Sequence, residues 1–161
     1  MKRILKQEKG ISLISLAVAI IILVIITNIL VYNAKDSVHI KNLTSMYNDI
    51  SNLREKISNY YSIYGDIPAK IKYENTQEID KLKSAKVIGV NDRENEYYII
   101  ELSALEGLTL NLGRDYETIK SMGTITPDKQ TQVNSLEDIY IINKNSHNIF
   151  YIAGVSDGNG K

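Results

Sequence analysis

The chain has 161 residues with 19 basic and 19 acidic side chains, and this zero net charge excludes attraction to nucleic acid by a general positive field. It contains no cysteine, which rules out a disulfide framework, a thiolate metal site and a cysteine nucleophile. The balance is uneven along the sequence: Lys2, Arg3, Lys6 and Lys9 against Glu8 give the first ten residues +3 and leave the rest at −3 (15 basic against 18 acidic).

A long apolar stretch follows that basic leader at once. From Ile11 to Val31 there are 21 residues, and only Ser12, Ser15, Thr27 and Asn28 among them are not apolar. At 1.5 Å per helical residue this is about 30 Å, the thickness of a bilayer's hydrocarbon core, so a transmembrane helix is predicted over residues 11–32. A buried helix of a soluble protein would show a polar face, and Leu16 to Ile26 has none. A secretory signal peptide also begins with basic and then apolar residues. Its apolar part is shorter, roughly 7 to 15 residues, and the small-residue exit at Ala34 has bulky Tyr32 where a small side chain is needed. The basic leader orients the span with its N-terminus in the cytoplasm and the rest of the chain outside.

The helix is expected to continue past the membrane as an amphipathic part over 33–64. Val38, Leu43, Met46, Tyr47, Ile50, Leu53, Ile57, Tyr60, Tyr61 and Tyr64 recur in steps of three and four, with Asp49, Arg54 and Glu55 assigned to the opposite face. Gly65, Asp66 and Pro68 supply the stop. A coiled coil is the other reading of so long a helix, but the strand-like sequence downstream favours packing against a sheet.

Residues 65–161 form the predicted head. Lys70 to Asn95 is polar, with a short helix from Thr76 to Lys83 capped by Thr76 and a candidate edge strand over Lys86 to Val90. Tyr97 to Leu102 is aromatic and β-branched and reads as a strand. Ser103 to Glu106 fits a capping box for a one-turn helix ending at Gly107, and Leu108 to Leu112 alternates as an extended segment does. Arg114 to Leu136 reads as an irregular surface connection. The runs 138–143 and 148–153, separated by Lys144 to His147, predict a β-hairpin with a four-residue loop. Both strands are apolar on both faces, so one face is expected against the helix and the other under the loops. The fold class is therefore α+β: a long N-terminal helix on a small antiparallel sheet.

The junction Lys9-Gly10 before Ile11-Ser12-Leu13-Ile14-Ser15-Leu16 resembles the leader of type IV prepilins and pseudopilins. The resemblance implies cleavage after Gly10 by a prepilin peptidase, Ile11 as a new and commonly methylated N-terminus, and Leu13, Ser15 and Leu16 as assembly positions. One departure stands out, because Ser15 occupies the place of the family's glutamate. The helix exit, Tyr64-Gly65-Asp66-Ile67-Pro68, is also similar to that of pseudopilins, as well as to an ordinary glycine C-cap with a proline beyond it. The resemblance implies a pilin-like fold and, as partners alongside the membrane, the prepilin peptidase, other pilin-like subunits, an assembly ATPase and a platform protein.

Signs of catalysis are few. His39 and His147 have no second ligand at a metal spacing, and no nucleotide loop, nucleophile elbow or zincin motif occurs. Asp157-Gly158-Asn159-Gly160 departs from a calcium loop in its glycine position, and Asn42-Leu43-Thr44 matches a glycosylation acceptor but sits on the predicted helix. The expectation is a structural subunit of a pilus or pseudopilus-type filament, minor in number, with no enzymatic role and no cofactor. The alternative is a single-pass membrane protein whose outer head binds a ligand without entering a filament.

Overall fold

The computed structural model describes residues 13–92 and 96–155, and along the first helix the side chains of Ile22, Leu23 and residues 37 onward. The fold is α+β, with a long helix on one side of a four-stranded antiparallel sheet and short helices on the other. Helix α1 runs unbroken from Leu13 to Tyr64, 52 residues or about 78 Å. No proline interrupts it. It stops where Gly65 takes a left-handed φ of +70° and returns its N–H to the Tyr61 carbonyl at 2.8 Å.

Four strands follow in sheet order equal to chain order: β1 (Ile71–Lys72), β2 (Tyr97–Ile99), β3 (Tyr140–Asn143) and β4 (Ile149–Tyr151). Helix α2 (Thr76–Ser84) lies between β1 and β2, while α3 (Tyr116–Met122) and α4 (Gln130–Asn134) lie between β2 and β3. The predicted hairpin is present, with Ile142 opposite Ile149 and Tyr140 opposite Tyr151. Its loop is organised by the fully buried Asn143, whose Oδ1 accepts from the N–H groups of Asn145 and Ser146 at 2.9 Å each.

Strand alternation explains why every residue of β3 is buried. Tyr140 and Ile142 point to the α1 side, where they share a cluster with Leu53, Ile57, Ile149 and Tyr151. Ile141 points the other way, into a cluster with Ile99, Phe150, Ile79 and Leu82 of α2 and Val133 of α4. The sheet is thus covered on both faces, as its doubly apolar strands require.

Several local expectations are corrected. Helix α2 is capped by Asn75, not Thr76: the Asn75 Oδ1 accepts from Glu78 N at 3.2 Å, the third position that a short side-chain acceptor reaches. Lys86 to Val90 is not a strand. Lys86 takes φ +60° past the end of α2, and Val87 N bonds back to Leu82 O at 3.0 Å, which turns the chain and buries Ile88. The edge strand on that side of the sheet is the two-residue β1, paired with β2 through Ile71 and Ile99, and β4 forms the other edge. The turn near Ser103 is a 3₁₀ turn at Leu102–Ala104, beginning one residue early and without a side-chain cap, and Gly107 follows it at φ +69°. The segment after Arg114 is not irregular surface. It holds α3 and α4, and buries Val133 and Leu136 against the sheet.

Candidate functional site

Of the residues singled out in the sequence, Gly10 and Ile11 lie outside the described residues. Leu13, Ser15 and Leu16 fall in the first turns of α1. Among the residues described with their side chains, no helix is long and apolar enough to cross a membrane, and the span expected over 11–32 falls largely on side chains outside that set. The tail from Asp157 also lies outside the described residues.

The head grips α1 over a short footprint. Leu53 and Ile57 are buried and Met46, Ile50 and Tyr60 partly so, all in the cluster with β3 and β4. Val38, Tyr47, Tyr61 and Tyr64, expected on the buried face, are exposed, because the sheet is too small to reach around the helix or along it. Asp49 departs in the opposite direction. Assigned to the solvent face, it is fully buried. Its position four residues before Leu53 and three after Met46 puts it on the apolar face by helical geometry, a signal the charge itself obscures.

Asp49 accepts from four donors, all of them from the head. Asn111 gives its backbone N–H at 2.9 Å and its side-chain amide at 2.8 Å, Leu112 its N–H at 2.9 Å, and Tyr140 its hydroxyl at 2.9 Å. A buried carboxylate without such donors would be too costly to ionise. Burial and then the bond to Asp49 push the Tyr140 hydroxyl up, so it stays a donor.

A second carboxylate continues the clamp. Asp138 accepts from Gly113 N at 2.7 Å, Arg114 Nε at 3.0 Å and the Tyr151 hydroxyl at 2.6 Å. Three successive backbone N–H groups, at residues 111, 112 and 113, therefore face carboxylates from α1 and from the approach to β3. Burial pushes the Asp138 carboxyl up, but the bonds from Tyr151, Gly113 and Arg114 outweigh it and leave it below the ordinary carboxylate value. A carboxyl lowered on folding adds stability above its unfolded pKa and loses it as pH falls through the folded one. The urea midpoint of the wild-type head is thus expected to fall below about pH 4 more steeply than that of Asp138→Asn, and parallel acid profiles would refute this role.

The remaining candidates hold no reactive constellation. His39 is half-buried on α1, and the His147 ring lies 4.9 Å from that of Tyr61. Among the described residues, no group of His, Cys, Asp or Glu side chains converges as metal ligands would. Asn42 is exposed on the helix, and the Thr44 hydroxyl donates to the Ile40 carbonyl at 2.9 Å. A groove of about 810 Å³ opens between the end of β2 and α3, floored by Ile71, Ile99, Tyr116 and Ile119, with a Lys70–Glu101 ion pair at its rim at 3.3 Å. No family model, curated protein or solved structure matches the chain.

Proposed function

We propose that the chain is a pilin-like structural subunit, cut after Gly10 by a prepilin peptidase and assembled through its long helix into a type IV pilus or pseudopilus-type filament. The observation that carries this reading is α1: one unbroken helix of 52 residues, on which, among the described residues, the head's apolar cluster covers the stretch from Met46 to Tyr60 and the His147 ring reaches Tyr61. A helix that extends so far beyond its own domain needs other surroundings for its apolar first half, and a bilayer followed by neighbouring subunits provides them. The apolar sequence from Ile11, the basic leader before it and the Gly10 junction agree with that use. The head then lies outside the cell membrane and the leader inside. An assembly ATPase, a platform protein and other pilin-like subunits are the partners, and no catalytic step is assigned to the chain.

Intact-mass analysis of the native protein tests the reading: residues 1–10 are expected to be absent, with Ile11 first, and Gly10→Ala is expected to leave the leader in place. A native chain that keeps Met1 in cells with an active prepilin peptidase would sink it.

Ser15 shapes the finer proposal. A serine can bond to its own helix and enters a bilayer without the roughly 2.5–3.5 kcal/mol that a central acidic residue costs, but it cannot neutralise the amine of a neighbouring Ile11. We therefore assign the chain to a minor position, and counting subunits in sheared filaments should find few copies per filament. Ser15 also keeps the second reading in play, in which the protein stays in the membrane and its head binds a ligand without entering a filament. In that reading the Gly10 motif is coincidental, and the native chain would keep residues 1–10.

A further inference from the structure

Residues 108–112 are held differently from the other extended segments of the head. Leu108, Leu110 and Leu112 alternate along the chain and pack on the cluster between α1 and the sheet, yet the segment belongs to none of the strands. A glycine with left-handed backbone stands at each end, Gly107 at φ +69° and Gly113 at φ +92°. Just before the first, the Glu106 carbonyl accepts from Lys56 Nζ of α1 at 2.9 Å. The polar hold on the backbone comes from Asp49 at residues 111 and 112 and from Asp138 at residue 113.

Such a segment can leave without breaking a strand pair. A ladder strand shares its bonds with a neighbour, so its opening costs the sheet. Here the partners are side chains of other elements, apart from a long bond of 3.4 Å from Leu108 N to the Leu105 carbonyl just outside the segment, and left-handed glycines at both ends are positions able to absorb large backbone rotations. We propose that residues 108–112 form a strap that opens as a unit about Gly107 and Gly113 when its hold on Asp49 is lost, while the four strands stay paired. Opening uncovers the leucine-lined side of the helix-to-sheet cluster and removes the clamp that fixes the head along α1. The proposal stands apart from the filament reading, since it concerns only the head and its own helix.

Hydrogen exchange on the full chain in detergent micelles tests it. After correction for intrinsic rates, the amides of Asn111 and Leu112 are expected to exchange at least tenfold faster than those of Ile141 and Phe150. Their exchange should also depend only weakly on urea, as a small opening does. In Asp49→Asn the strap amides should accelerate by a further tenfold or more, with the strand amides unchanged. Strap and strand amides exchanging at one common rate with one urea slope would overturn the proposal, as would an equal acceleration of both sets in the variant. If Asp49→Asn does not fold, the wild-type rates and slopes decide alone.

Discussion

Leu53→Asp is expected to destabilise the head by about 3–5 kcal/mol, which is most of what a small domain has. Leu53 is fully buried between Ile57 of its own helix and Tyr140 and Ile142 of β3. A carboxylate placed there loses its water without gaining donors, and it sits one helical turn from Asp49, whose four donors show what a buried carboxylate requires at this interface. Loss of the leucine's own burial adds to the effect. A fragment starting near Lys35 should be soluble and monomeric, because the apolar segment is removed, and its urea midpoint gives the measurement. Ile50→Asp should cost clearly less, since Ile50 is only half-buried. An unchanged midpoint for Leu53→Asp would mean that α1 does not pack on the sheet in solution.

Asp49→Ala is the second large effect, at about 2–4 kcal/mol by the same measurement. Removing the carboxylate leaves the N–H groups of Asn111 and Leu112, on a partly exposed segment, and the buried Tyr140 hydroxyl without their acceptor, and a donor left so inside the core costs about 1–3 kcal/mol. The sum would be larger if all three were shut away from water. The strap sets a ceiling, because the two backbone groups can reach water once it lifts, at the cost of exposing Leu110 and Leu112. Tyr140→Phe in the alanine background should then recover part of the loss, as it removes the one donor that cannot leave the core. No recovery would mean that the hydroxyl finds water there.

How far the sequence could be read depended on where its signals were local. Helix α1 and the β3–β4 hairpin were legible because each is written in a few adjacent residues: an unbroken apolar period ended by Gly65, and two β-branched runs around a four-residue turn. The two-sided burial of the hairpin was legible too, since neither strand has a polar face. The corrected elements were fixed from a distance. Tyr116 is ordered by a bond from its hydroxyl to the Tyr140 carbonyl at 2.9 Å, and Val133 by the sheet it covers, so α3 and α4 follow from packing that their polar sequences do not announce. Asp49 was misplaced because a charge outweighed its helical angle, although its four donors lie more than sixty residues downstream. Gly10 and Ile11 are in the reverse position, since their proposed role rests on the sequence pattern alone.

The doubly covered sheet has a consequence for how the head can vary. Two hydrophobic clusters meet on strands of two to four residues, and adjacent residues of β3 serve opposite sides. Neither side can therefore melt and leave the other a sheet to rest on, so the two behave as one cooperative body with the strap as its loose part. The exterior is left to helices, turns and the hairpin loop, whose residues answer to no strand register. Substitution across that exterior can remake what the head presents to another molecule while the scaffold beneath stays the same, and a family of such heads could diverge beyond recognition by sequence with its architecture intact.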